Sequence, residues 1–218
     1  MNYVVPKRTI VKSMEKRALD LCLSILFAIA LLPIMAVMSL CIFIMDTGPV
    51  LFCQERIGLG GKLFRFVKFR TMNQKKDELG NLLPDGDRIT IIGSLLRKYS
   101  LDELPQLWLV ICGKMSMVGP RPLLPRYFNF FNENETVRFS VLPGITGLAQ
   151  ICGRNLVSWD ERLSCDIEYV NEWSFVMDLL IIKKSILNVI KSKDVAIDAN
   201  QIMEDLDVER SKSRLGDL

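Results

Sequence analysis

The sequence predicts an α-rich α+β protein: a proline-broken N-terminal membrane helix, then a small domain of amphipathic, interfacial helices around a short β element. Three observations predict it. Leu21 to Met45 runs for 25 residues without a charge, interrupted only by Ser24, Pro33 and Ser39. Leu63 to Phe69 alternates in part between apolar and basic residues, close to the period of a half-buried strand. Several helix-like stretches follow residue 89, the last an apolar stripe edged by lysines. A length of 218 residues suits one domain plus an anchor. The expected division is 1–47 for the basic segment and membrane helix, 48–191 for the main domain, and 192–218 for a polar tail.

As a straight helix the apolar segment extends roughly 37 Å, enough to cross a hydrocarbon core of about 30 Å. It is too long and starts too late for a cleaved leader, and no A-x-A-like site follows it. Pro33, near the middle, is expected to break or kink the helix. Basic residues flank both ends: Lys7, Arg8, Lys12, Lys16 and Arg17 before, then Arg56, Lys62, Arg65, Lys68 and Arg70 after. Each flank therefore favours the cytoplasm. Two topologies fit. In one, the segment turns near Pro33 and leaves by the face it entered. In the other, a kinked helix crosses. Backbone freed at membrane depth must be satisfied by neighbours, and that cost counts against the hairpin.

Pro49 to Phe52 is expected as a short strand. Arg56 to Gly61, with three glycines, reads as a turn, and Leu63 to Phe69 as a second strand. Asn73 to Asp87 is a polar loop. Helices are expected at 89–99, 101–111, 128–139 (with an aromatic face), 160–171 and 177–191, and the three prolines of 120–125 keep that stretch extended. The 177–191 helix carries Leu179, Leu180, Ile182, Ile186 and Ile190 among Lys183, Lys184 and Lys191. Such a stripe lies flat on a membrane or faces a core, and its pattern suits both.

Composition narrows the chemistry. The net charge is only +3, but Lys7 to Arg70 holds ten basic residues against four acidic ones, which suits anionic headgroups or phosphate-bearing ligands. No helix-turn-helix, zinc-finger or RNP-type pattern appears, so nucleic acid is not an expected partner. There is no histidine. That excludes Ser-His-Asp and Cys-His sites and His-ligated zinc, and leaves nucleophilic attack to carboxylates, Lys, Tyr, Cys or bound water. The six cysteines form no C-x-x-C pair and read as reduced thiols of a cytosolic setting.

Three stretches can carry chemistry. In Ser100-Leu101-Asp102-Glu103-Leu104-Pro105-Gln106-Leu107-Trp108, Ser100 and Glu103 have capping-box spacing, so the acidic pair can simply stabilise a helix start. The same place also suits phosphate binding by free backbone N–H groups, with one carboxylate for attack and one for a divalent cation. In Val118-Gly119-Pro120-Arg121-Pro122, two prolines clamp Arg121, and a rigidly presented guanidinium suits bidentate phosphate binding. In Pro143 to Asn155, glycines permit close backbone approach to a ligand, and Gln150, Arg154 and Asn155 can face a base or phosphates. This stretch is not a P-loop.

Together with Arg56-x-Gly58-x-x-Gly61-Lys62-x-Phe64, Lys68-Phe69-Arg70-Thr71-Met72, Asp166-x-x-Tyr169-Val170 and Trp173-Ser174-x-x-x-Asp178-Leu179, these stretches make the chain resemble the bacterial sugar transferases, in their compact form. These are monotopic phosphoglycosyl transferases acting on polyprenyl phosphate. The resemblance runs from about Lys16 to Ile190. It implies a re-entrant membrane helix with both ends cytosolic, on the cytosolic face of the bacterial inner membrane. It also implies that Asp102 attacks the phosphorus bearing the sugar in a UDP-sugar, releasing UMP. Polyprenyl (undecaprenyl) phosphate then takes the sugar phosphate from the aspartate, the first membrane step of capsule, O-antigen, exopolysaccharide or glycoprotein synthesis. Glu103 is implied to hold Mg2+. Lys68, Arg70, Arg97, Arg121, Gln150 and Arg154 form the implied substrate-binding set, inner-membrane lipids the surroundings, and a homodimer is allowed. Leu32, Leu109, Lys114, Leu148 and Cys152 depart from the family pattern. The changes at Leu148 and Cys152 bear on donor specificity. A catalytically silent membrane-bound scaffold of the same fold is the alternative. A transport component fits poorly, since most of the chain lies outside the apolar segment.

Overall fold

In a computed structural model, which describes residues 13–45, 48–152, 158–190 and 204–216, the apolar segment forms one helix, α1 (Met14–Met45). The helix begins seven residues before the apolar run and passes through Pro33 without ending, so the expected break is absent. Proline removes one hydrogen bond of the ladder. In an apolar stretch the other backbone groups have no alternative partner, and the helix keeps them paired. α1 is long and apolar enough to cross a membrane, and Ile29, Leu32 and Val37 are 69%, 63% and 61% exposed.

The added N-terminal turns attach α1 to the rest of the chain. Lys16, Asp20 and Ser24 lie one turn apart, on one helix face, and all three are buried. The Lys16 ammonium donates to Asp178 Oδ2 (2.7 Å), the Val118 carbonyl (3.0 Å) and Tyr169 Oη (3.1 Å). Asp20 accepts from Ser116 Oγ (3.0 Å) and the Met117 N–H (2.9 Å). Arg17 donates to the carbonyls of Val110 and Ile111, which a helix end leaves without intrahelical partners. At the other end of α1, Met38 and Ile42 pack with Phe69 and Leu96. Both ends of the helix are thus docked on the same body.

β1 (Leu51–Ile57) and β2 (Leu63–Phe69) form an antiparallel hairpin that pairs Glu55 with Arg65. The short α2 (Asp85–Arg88) closes the polar loop, and α3 (Ile91–Lys98) follows. The expected 101–111 helix is divided. Leu101–Glu103 is a single 3-10 turn, and α4 (Gln106–Ile111) starts only after Pro105. β3 (Ser116–Val118) pairs in parallel with β4 (Gly144–Thr146). The expected 128–139 helix is instead two 3-10 segments, Pro125–Phe130 and Glu135–Ser140, whose aromatic rings pack on one another, Phe128 against Phe139 at 5.7 Å. α5 (Leu148–Cys152), α6 (Trp159–Glu172) and α7 (Phe175–Ile190) complete the main body. Its core gathers Phe66, Leu107, Val110, Met115, Val141 and Tyr169.

Two expectations are corrected by packing. The glycines of the 143–155 stretch serve backbone crossing as well as any ligand. A Cβ at Gly144 would lie 2.1 Å from the Gly119 nitrogen, and one at Gly147 would lie 2.2 Å from the Gly119 carbonyl oxygen. The C-terminal stretch is not a free polar tail. It contains α8 (Leu206–Gly216), whose Leu206 is fully buried in a cluster with Tyr127 and Trp159, while Arg210 grips both oxygens of Glu135. An aromatic cluster receives the leucine and a buried carboxylate the arginine, and Asp205 accepts bonds from Arg126 and Tyr127.

The Lys16–Asp178 pair should be costly to break. Lys16→Met leaves Asp178 buried without its cation, and the expected loss is about 3–5 kcal/mol. Lys212→Ala, which removes the exposed pair with Glu204, should cost no more than about 1 kcal/mol. Denaturant titration of both variants in nanodiscs measures the contrast.

Candidate active site

The site is built where α3 ends. Thr90 caps α3 by accepting from the Gly93 N–H (2.9 Å). Gly93 lets the helix lie directly on the chain at Thr71, since a Cβ there would sit 2.0 Å from the Thr71 carbonyl oxygen. Thr71 in turn accepts from Arg97 Nε through its hydroxyl (2.9 Å), which fixes the guanidinium. The chain then reverses at Ser100, with φ 53° and ψ 25°. Ser100 is the one non-glycine residue with positive φ among the described residues. Such a conformation costs of order 1–3 kcal/mol and survives where the surroundings impose it. The capping box suggested by Ser100 and Glu103 does not form, because a residue in left-handed geometry cannot serve as an N-cap. A capping box forms instead at Ser158 and Glu161.

This reversal drives Asp102 inward, where it is 6% exposed. Lys68 Nζ, on β2, stands 3.9 Å from its carboxylate. Glu103 pairs with Arg121. Burial first, and the neighbouring Glu103 second, push the Asp102 carboxyl above its ordinary range, while Lys68, Arg121 and Arg97 pull against them. Burial lowers Lys68, and Asp102 opposes that shift. Glu103 raises Arg121. The acidic pair is therefore held by tertiary cations and a strained turn.

Arg121 is presented by an extended backbone whose carbonyl accepts from Arg138 Nη2 (2.8 Å). Arg138 is itself bound through Nε and Nη2 to Asp166 Oδ2, at 3.1 and 2.8 Å, and both partners are buried. Burial raises Asp166, and Arg138 opposes this. Sequence reasoning placed Asp166 in a motif but missed Arg138 and Arg162. A lone charge between Val137 and Phe139 was the available signal for Arg138.

Asp102, Glu103, Lys68, Arg97, Arg121 and Gln150 all line one cavity of about 640 Å3, which also receives Arg138, Arg162 and Asp166. Gln150 is tethered by donation from Nε2 to the Ile145 carbonyl (3.0 Å). Arg70 does not belong to that lining. It is buried against the chain leaving α1, where a Cβ at Gly48 would meet its Nη1 at 2.2 Å. Arg154 and Asn155 lie outside the described residues. Part of the lining was not foreseen: Phe27 and Leu31 of α1 and Ile182, Ile186, Val189 and Ile190 of α7 border the same cavity.

Among the described residues no three His, Cys, Asp or Glu side chains gather. Adjacent carboxylates at Asp102 and Glu103 nevertheless fit Mg2+, which takes one or two carboxylates and fills its remaining positions with water and substrate phosphate. The cavity thus gathers three carboxylates (Asp102, Glu103 and Asp166) and five cations (Lys68, Arg97, Arg121, Arg138 and Arg162) beside a hydrocarbon surface.

The bacterial sugar transferase family profile matches residues 11–192. An uncharacterised sugar transferase of Bacillus subtilis, EpsL, is 44% identical over 181 residues, covering 83% of this chain and 89% of that protein. A UDP-glucose:undecaprenyl-phosphate glucose-1-phosphate transferase of Caulobacter vibrioides is 34% identical over 191 residues, covering 83% of this chain and 72% of that protein. An undecaprenyl-phosphate glucose phosphotransferase of Komagataeibacter xylinus is 40% identical over 195 residues, covering 83% of this chain but 37% of that protein.

The upward shift of Asp102 has a stability consequence. A carboxyl whose folded pKa exceeds its ordinary value destabilises the fold when ionised, and stability returns as pH falls through the raised value. Asp102→Asn should therefore leave Tm at neutral pH unchanged or higher. It should also remove part of the stabilisation that the unsubstituted protein gains between neutral and mildly acidic pH. Thermal melts across pH test both.

Proposed function

The chain belongs to the bacterial sugar transferase family, and from that membership we propose that it moves a sugar-1-phosphate from a UDP-sugar to undecaprenyl phosphate, releasing UMP. The observation that carries this reading is the mixed lining of the cavity. Its charged residues suit a sugar nucleotide and a lipid phosphate, and its apolar residues include Phe27 and Leu31 of the helix that suits a membrane.

In the proposed mechanism a carboxylate oxygen of Asp102 attacks the phosphorus bearing the sugar. The bond from that phosphorus to the bridging oxygen breaks, and UMP leaves with the electron pair. The product on the protein is a sugar-phosphoryl-aspartate. A phosphate oxygen of undecaprenyl phosphate then attacks the same phosphorus, and Asp102 departs as a carboxylate. No histidine is needed, because phosphoryl transfer depends mostly on positioning and charge neutralisation. Lys68, Arg97 and Arg121 offset phosphate charge, and the Arg138–Asp166 pair keeps Arg121 in place. Glu103 would hold Mg2+, whose role is to neutralise charge on the phosphates. Asp102 must be ionised to attack, so turnover falls as pH drops through its raised pKa, at a higher pH than for an ordinary aspartate.

The membrane reading follows from α1. A helix that crossed would carry its ends to opposite faces, whereas both ends of α1 dock on one body. This supports a monotopic arrangement on the cytosolic face of the inner membrane, with the exposed apolar face of α1 as the inserted part. Capsule or exopolysaccharide assembly is the setting this reading favours.

Membranes incubated with labelled UDP-sugars, Mg2+ and undecaprenyl phosphate should yield lipid-linked label and UMP together. Asp102→Asn should reduce both by about 10,000-fold or more while the protein stays folded. A wild-type chain inert toward a full panel of UDP-sugars would favour the silent scaffold instead. For topology, Ser13→Cys and Lys62→Cys in a cysteine-free background should react with an impermeant reagent from the same face. Labelling from opposite faces would rule out the monotopic arrangement.

A further inference from the structure

We infer that the aliphatic wall between α1 and α7 is the seat of the acceptor's isoprenoid chain, and that α7 therefore selects the acceptor. This rests on the proposed function. Phe27, Leu31, Ile182, Ile186, Val189 and Ile190 give the cavity lining an apolar set drawn from α1 and α7. A UDP-sugar has almost no hydrocarbon to set against such a wall, so the donor leaves it uncovered. A polyprenyl phosphate matches both sides at once, with its phosphate toward Lys68, Arg97 and Arg121 and its first isoprene units on the wall.

Three further observations agree. The apolar lining continues outward along α7, since Ile186 and Ile190 are 45% and 70% exposed. The change from charge to hydrocarbon is marked by Thr146 and Ser185, whose hydroxyls share a hydrogen bond at the cavity surface, one residue before Ile186. Finally, a volume of about 640 Å3 is that of a site for a drug-sized ligand. It encloses a headgroup and the nearest isoprenes and leaves the rest of a long chain to the bilayer.

The test uses the full chain in nanodiscs. Ile186→Asn should raise KM for undecaprenyl phosphate about tenfold or more. It should also flatten the preference for undecaprenyl phosphate over farnesyl phosphate. The exchange of labelled UMP into UDP-sugar, which needs no acceptor, should change less than twofold, and this also reports that the variant is folded. Ile186→Leu should restore the acceptor KM. An unchanged KM with intact chain-length preference overturns the inference. A photoreactive polyprenyl phosphate added to the wild-type protein should label peptides containing residues 27–31 or 182–190. Label confined elsewhere, or label removed by excess phosphatidylglycerol, overturns the inference too. Failure of the wild-type UMP exchange, with labelling of these peptides intact, would instead count against the covalent mechanism and leave the lipid seat standing.

Discussion

The buried ion pair between Lys16 and Asp178 is the constraint on which the other arrangements depend. It joins the first turn of the membrane helix to the first turn of α7. Tyr169 and Trp173 add two hydrogen bonds to the same carboxylate. The Val118 carbonyl accepts from both Lys16 and Tyr169, and the chain from Val118 leads within three residues to Arg121. A buried pair of this kind need not be more stable than apolar residues of the same shape, and its value lies in specificity. With Lys16, Asp20 and Ser24 committed inward, the rotation of α1 is fixed, and Phe27 and Leu31 follow on the face that lines the cavity. A uniformly apolar helix lacks any such preference, since one hydrocarbon face serves as well as another.

The reactive end of the cavity is assembled at some cost. Ser100 is held in left-handed geometry, Asp102 is buried and Glu103 sits beside it. Each is unfavourable alone. Cations from three different elements compensate, Lys68 from β2, Arg97 from α3 and Arg121 from the proline-clamped segment. Arg121 is steadied in turn by Arg138 and Asp166. The arrangement places a carboxylate among cations of a type that can also bind a phosphate.

Much of this was legible in the sequence, and the exceptions share a cause. β2, α6 and α7 fell close to their expected positions because their patterns are local. Asp102, Glu103, Lys68, Arg97, Arg121 and Gln150 were named, and they do meet in one cavity. Lys16 read only as one of several basic residues flanking a membrane segment. Its buried role depends on an aspartate 162 positions away, a distance no local pattern reports. Arg70 shared a motif with Lys68, but it lies one residue past the end of β2, where the alternation of the strand no longer sets its direction, and it went to the exit of α1. Ser100 and Glu103 had the spacing of a capping box, and tertiary packing imposed a different turn. α8 looked like tail because its composition is polar, while its docking depends on one buried leucine and on ion pairs such as Arg210–Glu135 with residues far away in the chain.

The proposed chemistry rests on a sugar-phosphoryl group carried by Asp102, and intact-protein mass spectrometry after rapid quenching tests it most directly. Mixed with a transferable UDP-sugar and Mg2+ in the absence of any lipid acceptor, the protein should gain the mass of one sugar phosphate. The adduct should map to the peptide containing Asp102, and it should disappear when undecaprenyl phosphate is added. Release of UMP only when the acceptor is present, with no adduct at any time, would contradict the account.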